Sequence, residues 1–482
     1  NVRCYGEPLA AAVRAGQVPE DLVDRAAGRV LRQKCELGLL DPAPAACAGH
    51  PHPDGAGTPD GQDGPGPGLD LDPPAHRALA RRLAEESVVL LANPGGVLPL
   101  RPSARIAVTG PLADDPLAFF GCYTFPRHVG YRHPSSGIGV AAATLLDALR
   151  GELPQARISH TPGCGTRSAD RSGFAAAVAG ARSADVVVAV LGDEAGLFGR
   201  GSSGEGCDVG DLTLPGVQAD LLAELAATGT PVVLALVTGR PYALGPAAGQ
   251  LAAAVQVFFP GEEGGGALAA VLSGRVTPGG RLPVELPGSA GGQPTGYLRA
   301  PLGGRTDVSA ADPTPLFPFG HGLSYTSFEY TGLTIRAAGG GADAGDGAAP
   351  SIATDGTAEI SCTVRNTGSR SGDEVVQLYL GDPVAQVVRP VRFLAGFARV
   401  PLAPGEARRV TFRVHADRTA FCGRAGDRIV EPGVIEVEIG ASSADLRLRG
   451  SLTLTGPQRS VGADRVLSTG VTIGPDDPAP AG

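Results

Sequence analysis

The run from Val186 to Leu191 is apolar without a break, six residues long and rich in valine. A strand buried on both faces reads this way, and such strands belong to parallel sheets covered by helices on either side. A helical pattern, Phe174 to Arg182, precedes it, and another, Val217 to Thr228, follows Leu214-Pro215-Gly216, where Pro215 suits a first helical turn. The connection from strand to second helix is roughly twenty residues long, several times the usual strand-to-helix link, and loops of that length are functional or disordered. In an open α/β sheet, ligands bind beyond the carboxyl ends of the strands, where this loop begins.

The same alternation runs on either side. His76 to Leu91 is predicted helical, Arg105 to Gly110 a strand, Gly139 to Leu149 a helix and Ala156 to His160 a strand. Val232 to Val237 and Ala253 to Phe259 read as strands, and Gly264 to Leu272 as a helix. Strands alternating with helices imply right-handed βαβ units and a mostly parallel sheet, an α/β sandwich at 76–288. After Gly288 the helical patterns stop. Short alternating segments (Ala358 to Val364, Glu374 to Leu380, Arg408 to Val414, Val434 to Ile439) are separated by turn residues such as Asn366-Thr367-Gly368 and Pro404-Gly405. They predict an antiparallel β-sandwich at 331–456, joined to the first domain by a connecting segment at 289–330 and followed by a loose tail at 457–482.

At the other end, Pro19 to Leu39 reads as one amphipathic helix within residues 1–41, with acids in its first turn and Gly38 after Lys34 as a stop. A lone helix cannot bury its own apolar face, so it calls for a partner domain that the sequence does not contain. Residues 42–75 are nearly all Pro, Gly, Ala and Asp and read as a linker. The chain has no methionine even at position 1 and opens on Asn1, which reads as a fragment whose beginning is missing.

The net charge of −9 is dispersed without a basic cluster, which argues against nucleic acid or an anionic membrane surface as partner. No apolar run approaches the ~20 residues of a membrane span. Eight scattered cysteines show neither CxxC pairs nor zinc-ligand spacing, so they read as reduced thiols and the chain as cytoplasmic. No metal or organic cofactor is implied, and oligomeric state is open.

The loop itself carries five carboxylates, Asp193, Glu194, Glu205, Asp208 and Asp211, together with Arg200. Gly204 and Gly206 flank Glu205 and free the backbone to present that side chain in a conformation other residues resist. Glu205 is therefore the leading candidate functional residue of the loop, with Glu194, nearer the strand end, as its rival. Arg200 and Asp208 are the candidate substrate-binding residues. Arg200 either pairs with a loop carboxylate or touches a ligand hydroxyl, and Asp208 either meets ligand or orients and caps the loop. Tyr123 and Phe125 read as core or interface residues with an aromatic ligand wall as the alternative, and His321 as a packed turn residue. The Gly261-Glu262-Glu263-Gly264-Gly265-Gly266 stretch lacks the lysine of a phosphate loop, and its two acids would repel phosphate. No GxSxG nucleophile motif is present.

Several stretches together resemble family 3 glycoside hydrolases of the β-glucosidase/β-xylosidase kind: Ala84 to Leu91 with Leu98-Pro99-Leu100; Glu205-Gly206-Cys207-Asp208 with Leu214 to Gln218; Phe259 to Gly265; Pro278 to Pro283; and Phe317 to Tyr325. The resemblance covers about nine-tenths of the chain and corresponds to the C-terminal two-thirds of such enzymes. It implies a fibronectin III-like module in the β-sandwich, and it makes Leu9 to Asp41 the last helix of a (β/α)8-type barrel otherwise outside the sequence. It further implies exo-acting cleavage of β-linked non-reducing terminal sugars with retention, on glucosides, xylosides or α-L-arabinopyranosides. By resemblance Glu205 is the acid/base and an aspartate on the barrel the nucleophile, so the chain alone is expected to be inactive. Where the family motif continues with arginine after the aspartate, this chain has Val209. The rival reading is a non-catalytic carbohydrate-binding or scaffold remnant of such an enzyme.

Overall fold

The computed structural model describes residues 4–40, 70, 72–133, 135, 137–291, 296–339 and 350–476. Most of the predicted linker and the Gly/Ala-rich tip at 340–349 lie outside these residues. The chain divides into two units, 1–76 and 77–482.

In the first unit the single expected helix is two, α1 (Glu7–Arg14) and α2 (Glu20–Glu36). Gly16, at φ 71°, lies in the turn between them, a conformation that breaks a helix at small cost for glycine. Neither helix buries a residue, and Leu22, Val30 and Leu31 of α2 are exposed.

The second unit begins with α3 (Pro74–Ser87), then β1 (Val89–Ala92), β2 (Arg105–Thr109), α4 (Phe125–His128), α5 (Leu145–Glu152), β3 (Arg157–Thr161), α6 (Phe174–Arg182) and β4 (Val186–Gly192). The α/β part continues with α7 (Gln218–Ala226), β5 (Val232–Val237), β6 (Ala253–Val257) and α8 (Gly264–Ser273). The sheet order is β1-β6-β5-β4-β2-β3, parallel except for β1, which runs antiparallel to β6. The predicted helix 76–91 therefore ends early. Val88 and Leu90 face one core and Val89 and Leu91 the other, a period of two that the apolar run permits as readily as a helical period. The helix expected from Gly139 starts instead at Leu145, because Thr144 caps it, its Oγ1 accepting from the Asp147 N–H at 3.1 Å.

β4 is buried along its whole length, as its composition requires. Val186, Val188 and Val190 pack with Leu145, Leu149, Leu268 and Leu272 on one face. Val187, Ala189 and Leu191 pack with Ala177, Leu221 and Leu225 on the other. Each such side chain contributes about 1.5–3 kcal/mol of burial, so this strand is the fixed post from which its loop departs.

The remaining strands are β7 (Phe328–Ala337), β8 (Ser351–Ala353), β9 (Thr357–Asn366), β10 (Gly372–Gly381), β11 (Phe393–Leu402), β12 (Ala407–His415), β13 (Phe421–Cys422), β14 (Arg428–Val430), β15 (Gly433–Gly440), β16 (Leu446–Thr455), β17 (Arg459–Ser460) and β18 (Gly470–Pro475). Two sheets, β11-β10-β15-β16-β8 and β18-β12-β9-β7, enclose one core. β7 starts before the predicted boundary at 331, and the predicted tail is not loose, since β18 pairs antiparallel with β12 through residues 470–475. Its backbone pairing covers an edge that β12 would otherwise leave open.

The connecting segment returns across the α/β part. Leu323 N–H donates to Leu90 O at 2.7 Å, and His321 Nε2 meets Leu91 O at 2.8 Å while its ring stacks on Phe317, a packed residue as expected. The β-sandwich is tied down by Arg281, whose guanidinium meets Glu374 at 3.0 Å with both side chains nearly sealed, and by Tyr330, which donates to the same carboxylate at 2.9 Å. Removing one partner of a buried pair strands the other charge. Replacing Arg281 by Ala should therefore cost about 3–5 kcal/mol in urea denaturation. A loss below about 1 kcal/mol would show that the pair does not join the domains.

Candidate active site

The order of the parallel strands turns back on itself at one place. From β2 the chain crosses to β3 on one side, then returns to β4 on the other, so β2 and β4 are neighbours whose following loops leave in opposite senses. Such a switch point opens a crevice beyond the carboxyl ends of the strands. The two loops that border it are 110–144 after β2 and 193–217 after β4, and they bring Tyr123 and Glu205 together. The Tyr123 hydroxyl donates to Glu205 Oε2. This bond to a carboxylate holds the Tyr123 phenol above its ordinary value.

The long loop after β4 is ordered by its own hydrogen bonds. Residues 194–198 fold back against 202–205: Ser202 N–H donates to Glu194 O at 2.8 Å, Gly196 N–H to Ser203 O at 2.9 Å, and Phe198 N–H to Glu205 O at 2.8 Å. Phe198 is the one non-glycine residue with positive φ, 54°, among the described residues. Gly204 has φ 116°, and a Cβ there would stand 2.1 Å from Gly196 O and 2.9 Å from Cys122 Cβ. Only glycine fits, as the sequence suggested for the residues flanking Glu205.

The base of the loop is fixed by Asp193, which is fully buried. Its Oδ1 accepts from Ser202 Oγ at 2.7 Å and Tyr242 Oη at 2.6 Å, and its Oδ2 from the Gly239 N–H at 2.9 Å. Burial, then the Asp193 charge, pushes the Tyr242 phenol well up, so it stays a donor. Arg240 donates to Ser202 O and, at 2.7 Å, to Cys207 O, gripping the loop on both sides of Glu205. Gln218, wholly buried, clasps Gly192 from the start of α7, its Oε1 accepting the Gly192 N–H and its Nε2 donating to Gly192 O, each at 2.8 Å. Pro215 lies three residues before that helix rather than in its first turn, because Val217 occupies the N-cap.

The other predicted residues fall as follows. Glu205 is exposed at the crevice, so this chain does not supply the partial burial that a neutral-pH acid would use. Glu194 is engaged on both sides by Arg127 at 3.7 Å and Arg167 at 3.4 Å, whereas Glu205 meets only a phenol. Arg200 joins no loop carboxylate within 4 Å; its guanidinium stacks 4.3 Å over the Tyr131 ring. Tyr131 is also bonded by Arg132 Nε at 2.7 Å, which with Arg200 lowers its phenol. Asp208 is exposed and makes no side-chain hydrogen bond or ion pair among the described residues, so neither the capping nor the orienting role is seen there. Tyr123 and Phe125 are exposed, at 65% and 53%, rather than core. An open depression of about 540 Å³ lies against Cys122, Tyr123, Ser203, Gly204 and Phe259. The two acids of the Gly-rich stretch are tied to α3, Glu262 to Arg77 at 2.9 Å and Glu263 to Arg81 at 2.7 Å, which leaves no phosphate cradle.

Sequence reading missed Arg240, and the holding roles of Asp193, Gln218 and Tyr123. The usable signal was position: Asp193 and Arg240 each follow within three residues of a parallel strand's carboxyl end.

With this geometry in view, the comparisons with known proteins are specific. Residues 88–325 match the glycosyl hydrolase family 3 C-terminal domain, and residues 374–443 a fibronectin type III-like domain. A β-xylosidase of Formosa agariphila is 35% identical over 87% of this chain and 54% of its own length. A periplasmic β-glucosidase of Salmonella typhimurium is 32% identical over 93% of this chain and 58% of its own. The crystal structure of a Listeria innocua β-glucosidase in complex with isofagomine superposes with a TM-score of 0.76 at 27% identity, covering 93% of this chain and 58% of that one. The chain thus spans little more than half the length of these relatives.

Asp193→Ala would leave three donors without their acceptor, at about 1–3 kcal/mol for each one buried. We expect urea denaturation to show a loss of at least about 3 kcal/mol, and limited proteolysis to gain cuts within 194–211. An unchanged digestion pattern would mean that Asp193 does not hold the loop.

Proposed function

The chain belongs to glycosyl hydrolase family 3, and from that premise we propose that it supplies the acid/base half of a retaining β-glycosidase site, with Glu205 as the proton donor and acceptor. The observation that carries this reading is the meeting of Glu205 and Tyr123 at the switch point, on a loop gripped by Arg240 and Asp193. Retaining cleavage needs two carboxyl groups about 5–5.5 Å apart, one attacking the anomeric carbon and one protonating the leaving oxygen. Glu205 supplies the second. The nucleophile, in this proposal an aspartate of a barrel domain outside the 482 residues, supplies the first.

The substrates are β-linked non-reducing terminal sugars, glucosides and xylosides before α-L-arabinopyranosides. In the first half-reaction the Glu205 carboxyl gives its proton to the departing glycosidic oxygen as the nucleophile bonds to the sugar. In the second, the Glu205 carboxylate takes a proton from the water that displaces the nucleophile. Docking of a barrel over the crevice would give the exposed carboxyl the drier surroundings that this work requires. The Tyr123 hydroxyl orients it meanwhile. In this reading Arg200, stacked on Tyr131, meets a sugar hydroxyl.

The test uses the gene product read in frame from upstream of Asn1, assayed on aryl and alkyl β-glycosides. Glu205→Ala should lower kcat/KM on alkyl glycosides by 100-fold or more, about the contribution of one acid/base group. Activated aryl glycosides should suffer less, and added azide should restore them with formation of the glycosyl azide. Equal losses on both substrate types, without azide rescue, would remove Glu205 from the acid/base role. A stop codon immediately upstream, with no barrel encoded, would favour the scaffold reading instead.

A further inference from the structure

A second cavity, of about 210 Å³, lies where the end of the α/β part, the connecting segment and the β-sandwich meet. Its walls include Glu285, Tyr297, Arg299, Arg305 and Arg392. Two of its three arginines are already used, Arg305 by Asp312 at 3.5 Å and Arg392 by Glu438 at 2.6 Å. Glu285 and Arg299 are not. Glu285 is 8% exposed yet takes part in no hydrogen bond or ion pair among the described residues, and the Arg299 side chain likewise has no such partner there. The two lie close enough for the Arg299 charge to act on Glu285, against the burial that pushes its carboxyl up, but they do not meet. Tyr297 is fixed by stacking on Phe319 at a centroid distance of 4.0 Å. Its oxygen accepts from the Leu394 N–H at 3.3 Å, which leaves its own O–H free to donate.

A carboxyl on a residue this little exposed is rarely left without a partner. Here it faces a gap whose far side offers a guanidinium, and a phenol O–H stands beside both. We infer that this cavity is a binding site for one neutral sugar ring, with Glu285 accepting from one hydroxyl and Arg299 donating to its neighbour. Adjacent hydroxyls of a pyranose each donate and accept, which matches an acceptor and a donor that cannot reach one another. The balanced charges of Glu285 and Arg299 disfavour a charged ligand of either sign. The volume is below the ~300 Å³ at which drug-sized pockets begin, so a single ring is the natural occupant. The site is separate from Glu205. None of the residues that line it belongs to the 193–217 loop.

Calorimetric titration of the 482-residue chain with D-glucose tests this, with D-glucuronate and D-glucosamine as charged counterparts. One glucose per chain should bind and raise Tm by mass action, the charged sugars binding more weakly. Glu285→Ala and Arg299→Ala should each weaken glucose at least tenfold and remove the rise in Tm, while glucose binding survives Glu205→Gln. Unliganded Glu285→Ala should melt no lower than the parent, because the carboxyl removed had no partner. The inference is overturned if glucose does not bind, if both substitutions leave its affinity intact, if Glu205→Gln abolishes it, if the charged sugars bind as tightly, or if unliganded Glu285→Ala melts lower.

Discussion

The buried carboxylate of Asp193 is the constraint on which the placement of Glu205 depends. It takes donors from the loop itself (Ser202), from the turn after β5 (Gly239) and from Tyr242, and so binds two successive strand ends into one unit. No guanidinium pairs with it among the described residues, and its compensation comes from hydrogen bonds alone. A buried charge satisfied this way is intolerant of partial disruption, because each lost donor leaves a polar group stranded in a low-dielectric interior. Arg240 extends the same unit outward to the carbonyls of Ser202 and Cys207, which bracket the catalytic candidate. The exposed tip, with Phe198 in a left-handed conformation and Gly204 packed against Cys122, rides on that base.

The architecture was legible because β4 carries it in its composition. An unbroken Val/Leu run between two helical patterns admits little besides a parallel strand with helices on both faces, and its alternate side chains do enter two different cores. Glu205 was legible for a related reason, since flanking glycines in a loop beyond such a strand point to one side chain. What remained hidden is non-local. Val89 to Ala92 became a strand because β6 offers an edge, although the run would suit a helix equally well. Val471 and Ile473 joined the β-sandwich because β12 needed covering, which no pattern within 457–482 announces. The roles of Tyr123, Arg240 and Gln218 depend on partners dozens of residues away.

The second unit is also a study in how one segment serves two domains. The Phe317 to Tyr325 stretch pairs with β1 through Leu323 and anchors the β-sandwich through the Gly320 carbonyl, which accepts from Gln377 Nε2 at 3.0 Å. With Arg281 and Glu374 it makes the junction rigid, and the Glu285 cavity lies beside that junction.

The identity of the proton donor can be read directly by affinity labelling. An N-bromoacetyl β-glycosylamine carries nitrogen in place of the glycosidic oxygen and its reactive carbon two bonds beyond, within reach of the carboxylate that serves that oxygen, which displaces bromide to leave an ester. In the gene product read in frame from upstream of Asn1, peptide mapping by mass spectrometry is expected to find that ester on Glu205, with free sugar protecting against it. Labelling of Glu194, or of a carboxylate outside the 193–217 loop, would contradict the assignment.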